Sequence, residues 1–115
     1  MKKAIADFTE TERWVVDTTL KERYGKAIEV KAADVELRLS PADRELTLCP
    51  ALFWAEREAA FVLTKTGDGR FRCQFYYSVL EQYGTGHEEY DDLAECVTAL
   101  LKLQADHEAQ RQAKI

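Results

Sequence analysis

The chain has only two prolines, five glycines and three cysteines in 115 residues, and no apolar run approaching the ~18 residues of a membrane span. Each shortage excludes a class of protein. So little proline and glycine excludes a collagenous repeat or a Pro/Gly-rich disordered chain. Cys49, Cys73 and Cys96 cannot all pair with one another, and none sits in a CxxC or beside a histidine at zinc spacing. Reduced thiols are therefore expected, without a disulfide framework or a structural zinc. Positive charge is also short: 16 Lys and Arg against 21 Asp and Glu leave a net charge of -5. That balance argues against a protein whose main task is gripping nucleic-acid phosphates. Met1-Lys2-Lys3 leads into acidic helix signals instead of an apolar signal-peptide core, so a cytoplasmic location with no membrane role is expected.

What remains is 46% hydrophobic and 32% charged, enough apolar material for one globular domain over residues 1–115 without metal or disulfide support. Thr9 and Glu12 have the spacing of a capping box, so a helix should start at about Thr9. Val16, Leu20 and Tyr24 continue its apolar stripe, Trp14 and Val15 widen it, and Gly25 suits its C-terminal stop. From Ala27 the period falls to two. Ile28, Val30 and Ala32 alternate with charged residues, then Val35, Leu37 and Leu39 take over on the opposite parity. A β-bulge near Ala32 to Asp34 is the favoured account of that flip, a tight turn the other.

Ser40-Pro41-Ala42-Asp43 carries turn chemistry. Leu46, Leu48, Leu52 and Trp54 keep one parity through Pro50, which marks an edge, a bulge or a break between two strands. A turn is expected at Glu56 to Glu58. Thr66-Gly67-Asp68-Gly69 gives the clearest hairpin signal, followed by a strand with Phe71, Cys73, Phe75, Tyr77 and Val79 on one face. Arg72, Gln74, Tyr76 and Ser78 occupy the other face, expected to meet water. After Gly84 to Gly86, Asp91 or Asp92 caps a second helix whose stripe is Leu93, Val97, Leu100, Leu101 and Leu103, with residues 106–115 a polar tail that continues as exposed helix and frays. The fold class is α+β: an N-terminal helix, an antiparallel meander of four to five strands and a C-terminal helix. It is a two-layer sandwich with both helices on one sheet face.

Sites are harder to find. From Glu81 to Glu95 there are six acids and no Lys or Arg, and His87 with Glu88, Glu89, Asp91 and Asp92 could in principle hold a cation or form an enzyme centre. No EF-hand, HExxH or other ligand frame fits that spacing, and a helix N-terminus favours acids by itself. No metal and no cofactor are therefore expected. Cysteine nucleophile chemistry needs a neighbouring histidine, His87 or His107. Cys73 and Cys96 fall on core faces, which leaves Cys49 as the thiol expected to be exposed, and no catalytic residue is assigned.

The basic segment Arg57, Lys65, Arg70 and Arg72, with Tyr76 beside Arg72, could stack or grip an anionic small molecule. The order helix, meander, helix resembles that of double-stranded-RNA-binding domains, but the resemblance is one of order alone. The meander has too many strands, the second helix carries only Lys102 before Gln104, and no family motif is present. Phe53, Trp54, Tyr76, Tyr83 and Tyr90 cannot all lie under two helices, so some should surface at the sheet's open face as interface anchors. The leading expectation, with Phe53, Trp54, Tyr76 and Tyr83 as its interface, is a non-catalytic interaction module. It would form a homodimer or dock on a protein partner through that face. Size and charge also suit a small acidic secretion chaperone. The anion-binding hairpin and the His87 centre are the alternatives.

Overall fold

The computed structural model describes residues 5–78 and 80–113; Val79 and the last two residues of the tail lie outside them. The described residues form α1 (Glu10–Tyr24), β1 (Lys31–Leu37), β2 (Thr47–Glu56), β3 (Ala59–Gly67), β4 (Arg70–Ser78), β5 (Glu81–Gly84) and α2 (Leu93–Ala113). The strands make one antiparallel sheet in the order β1-β2-β3-β4-β5, a plain meander. The expected architecture is therefore present, with five strands.

Both helix starts follow from local chemistry. Thr9 accepts from the Glu12 amide and Glu12 from the Thr9 amide, a complete capping box, while Gly25 ends α1 in the left-handed region at φ 71°. Asp92 caps α2 by accepting from the Glu95 amide at 3.0 Å. Leu52 and Trp54 of β2, Phe61 and Leu63 of β3, and Phe75 of β4 share one face by ladder register. Val16 and Leu20 of α1 and Val97, Leu100 and Leu101 of α2 join them in a single core. Both helices thus cover the same side of the sheet.

Lys65 also points to that covered side, only 3% exposed. Its ammonium donates to Glu12 Oε1 at 2.8 Å and to the Asp7 carbonyl at 3.1 Å. The same Glu12 oxygen accepts from the Thr9 amide. One carboxylate therefore ties the α1 cap to β3, and the buried cation is paired as burial requires.

The bulge expected near Ala32 is absent. Partners run without interruption from Lys31↔Phe53 to Leu37↔Thr47. Ile28 and Val30 precede the strand and pack on the core, whereas Val35 and Leu37, opposite Cys49 and Thr47, lie on the other face. Ala32, Asp34 and Glu36, which continue the parity of Ile28 and Val30, are exposed. The flip arises because the apolar residues change faces where β1 leaves the shelter of the helices.

β2 is one continuous strand, and its ladder with β3 begins at Ala51, directly after Pro50, which has no amide to donate. Two further expectations are corrected. Trp14 does not widen the α1 stripe; it is 65% exposed. Cys49 is fully buried, and its thiol donates to the Thr47 carbonyl. The tail is helical as expected, α2 continuing to Ala113, with Arg111 over the Tyr77 ring at 4.0 Å and paired to Glu81.

The β2-β3 and β3-β4 hairpins differ in kind. The β3-β4 turn has Gly69 at φ 67° with a register shift between Lys65 and Gly67, as its glycines imply. The β2-β3 turn places Arg57 and Glu58, both with a Cβ, at φ 58° and 64°, a conformation that Asn and Gly adopt more readily. Ion pairs from Arg57 to Glu108 and from Lys26 to Glu56 flank that turn.

Candidate functional site

The sheet face away from the helices is only partly open. Arg72 donates to the Leu39 carbonyl at 3.2 Å. Leu39 follows β1 while Arg72 lies on β4, so the connection 38–46 must fold back across β2 and β3 to meet it. Beneath this end of the face Thr47, Cys49, Ala51 and Thr64 are buried without any helix above them. The long connection takes the part that a helix plays on the other side.

Beyond the connection the face is bare and apolar. A groove of about 430 Å³ is lined by Val35, Leu37, Phe53, Val62, Gln74 and Tyr76, with Thr64 and Arg72 at its covered end. A second depression of about 410 Å³ lies between residues 26–31 and the β2-β3 turn, and it too is bounded by Phe53 and Tyr76. These two aromatics stand as a ridge between two hollows. Both are half-buried. Among the β1 to β4 positions that share the face by register, Lys31, Arg70 and Arg72 are ionisable besides Cys49 and Tyr76, and Lys26, Glu29 and Glu56 rim the second depression, so the first groove is nearly uncharged away from Arg72.

The four aromatics expected at an interface divide between two sides. Phe53 and Tyr76 lie on the open face. Trp54 is 4% exposed and stacks on Phe61 in the core at 5.4 Å. Tyr83 packs with His107 at 4.2 Å and with Phe75 at 5.3 Å on the helix side. Tyr90, which pairs with Phe71 and donates its hydroxyl to Thr85, is buried too. Trp14 and Leu80, 65% and 94% exposed, are surface aromatic and aliphatic positions that periodicity could not pick out, since each neighbours residues of the apolar pattern.

The basic residues are not gathered into one site. Arg57 pairs with Glu108, Lys65 with Glu12 on the helix side, and Arg70 and Arg72 both with Glu89, at 3.0 and 3.3 Å. Each faces a carboxylate, and of the four only Arg70 and Arg72 share the strand parity of Tyr76. The same Glu89 belongs to the acidic cluster: held between two arginines, its single charge is fully compensated. His87 is exposed, its ring 5.4 Å from that of Tyr90, while Asp92 is occupied as the cap of α2. A shallow hollow of about 310 Å³ touches Arg70, His87, Glu89, Asp91 and Glu95. Among the described residues no three His, Cys, Asp or Glu side chains are grouped as metal ligands.

The cysteines fall into two environments. Cys49 lies on the open face under the 38–46 connection, where burial raises its thiol pKa. Cys73 and Cys96 meet on the helix side with their sulfurs 3.2 Å apart. The hydrogen bond to Cys73, then burial, push the Cys96 thiol far above its ordinary range. No described helix is long and apolar enough to cross a membrane. Comparisons with protein-family models, with curated proteins and with solved structures find no match for this chain.

Proposed function

We propose that this protein is a non-catalytic interaction module that self-associates through the bare part of its open sheet face. The observation that carries the reading is the Phe53 and Tyr76 ridge standing between two hollows, one mainly apolar and the other rimmed by Lys26, Glu29, Lys31 and Glu56. A patch with a knob beside a hole is self-complementary. Across a twofold axis the ridge of one copy enters the hollow of the other and receives the other's ridge in return, which is what an isologous contact requires. The chain carries a net charge of -5, yet the hollow that would receive the ridge sets Lys26 and Lys31 beside Glu29 and Glu56, a balanced set, so two copies meet there without net like-charge repulsion. Tyr and Phe are also the residue types that anchor interfaces. Five strands about 4.8 Å apart span a face of roughly 600 Å², of which the connection covers a part. That is below the ~800 Å² per partner of a tight complex, so a weak, micromolar association is expected.

Sedimentation velocity across a micromolar concentration series tests this. A monomer–dimer equilibrium that Phe53→Arg abolishes, with the circular dichroism spectrum unchanged, supports the reading. A monomer at every concentration overturns it. A different protein retained by the wild-type chain but not by Phe53→Arg would show the same face serving another occupant, and self-association would then be abandoned.

A further inference from the structure

We propose that Cys73 and Cys96 form a modification site, a reversible disulfide between β4 and α2 that a hydroperoxide closes. The two sulfurs are already 3.2 Å apart. A disulfide needs about 2.05 Å, a closure of roughly 1 Å that small side-chain rotations supply. The contact is directional. Cys96 Sγ donates toward Cys73 Sγ, and Cys73 Sγ donates toward the Cys96 carbonyl at 3.6 Å. Negative charge on the Cys73 sulfur is thus met by a donor, which makes Cys73 the nucleophile of the pair.

Access points the same way. The ladder beside β4 runs to Gln74↔Gly84 and resumes at Phe71↔Tyr90. On that side Arg72 and Cys73 have no strand partner, because residues 85–89 loop away. Cys73 is part-exposed and touches the open-face groove as well, whereas Cys96 is fully buried. An oxidant reaches Cys73 first, and Cys96 is placed to resolve what forms there.

The thiolate of Cys73 attacks the terminal oxygen of the hydroperoxide. The O–O bond breaks, the peroxide is reduced to an alcohol or water, and Cys73 becomes a sulfenic acid. Cys96 sulfur then attacks Cys73 sulfur, the S–O bond breaks, and hydroxide leaves with the Cys96 thiol proton as water. Two thiols and one hydroperoxide thus give one disulfide, one alcohol or water from the peroxide, and one water. The bond pins the first turns of α2 to β4 and encloses the 85–92 segment in a covalent loop.

The test uses the full reduced chain, hydrogen peroxide as probe, alkylation of remaining thiols, and digestion with a glutamate-specific protease. Cleavage after Glu45, Glu56, Glu58, Glu81, Glu95 and Glu108 puts the three cysteines on separate peptides. The expected product is peptide 59–81 linked to peptide 96–108, lighter by two hydrogens and separated by dithiothreitol. Cys49 should remain alkylated, and the oxidised chain should melt at a higher temperature than the reduced one. Cys96→Ser should leave Cys73 as a sulfenic acid that dimedone traps, while Cys73→Ser should leave Cys96 unreacted. The wild-type map decides the matter even if either variant fails to fold. A linkage through Cys49, or Cys73 driven to sulfinic acid with no linked peptide, overturns the proposal.

Discussion

The two faces of the sheet are built from the same five strands and are buried by different means. On one face α1 and α2 supply continuous apolar stripes, and the side chains between them, Phe61, Phe75 and Leu63, are wholly buried. On the other a single connection, 38–46, folds over one end of the face and is held there by the Arg72 bond to Leu39 and the Arg72 pairing with Glu89. The difference teaches where to look for function. Helix packing saturates a face, whereas a loop covers only what it can reach and leaves a ridge and hollows beside it.

The sharpest way to break the comparison is to truncate one phenylalanine on each face. Phe75, with rings of Phe61, Tyr77, Tyr83 and His107 around it, should lose about 3–5 kcal/mol on Phe75→Ala, read by urea denaturation. Phe53→Ala, half-exposed on the open face, should cost about 1 kcal/mol. Equal losses would mean that the open face is as tightly packed as the covered one.

Next in size is the charge buried under the helices. Glu12→Ala strands the Lys65 ammonium, whose side chain is 4% exposed, with only the Asp7 carbonyl beside it, and also removes half of the capping box. A loss of about 3 kcal/mol is expected. Lys65→Met leaves Glu12 capping Thr9 with 18% of its side chain still in contact with water, so the cost should be about 1 kcal/mol. Chemical denaturation of both variants tests the asymmetry, and a larger loss from Lys65→Met would show that Lys65 matters as packing more than as a charge.

On the open face Arg72→Ala removes both the bond to the connection and one contact to Glu89. The expected cost is about 1 kcal/mol, with faster amide exchange confined to residues 38–46. Exchange that quickens uniformly along the chain would mean that the connection is held by its apolar residues and not by the arginine.

How much of this was legible in the sequence depends on whether the cause was local. Thr9 and Glu12, Gly25, the Thr66 to Gly69 hairpin and the helical stripe from Leu93 are short-range signals, and the structure follows them. Cys49, Trp54 and Val35 were misread because their surroundings are set by elements distant in sequence. A strand pattern tells which residues share a face but not what lies above it, so neither the folded-back connection nor the change of face in β1 could be seen. The contact of Cys73 with Cys96 needed the rotation of α2 over β4. The site was less legible than the fold for the same reason. Phe53 and Tyr76 could be named as surplus aromatics, but Trp54 and Tyr83 could be told apart from them only by register. At Arg57 and Glu58 the expected turn is present, with backbone geometry that its residue types do not announce.

The smallest expected effect concerns a polar atom on the helix side. The Tyr24 hydroxyl is buried with no hydrogen-bond partner, and burial pushes its pKa up to about 12 from 10.0. A group whose folded pKa is raised keeps its contribution below the unfolded value and loses it as pH rises through the folded one. Between about pH 10 and 12 the unfolded chain releases this proton while the native chain retains it, so stability should fall with rising pH in that window. Tyr24→Phe should change stability at neutral pH by less than about 0.5 kcal/mol, since the lost hydroxyl has no partner to leave behind. The same substitution should flatten the alkaline decline, measured as urea midpoints at successive pH values. An unchanged decline would assign it to other tyrosines or to lysines, and would mean that water reaches the Tyr24 hydroxyl in the folded chain.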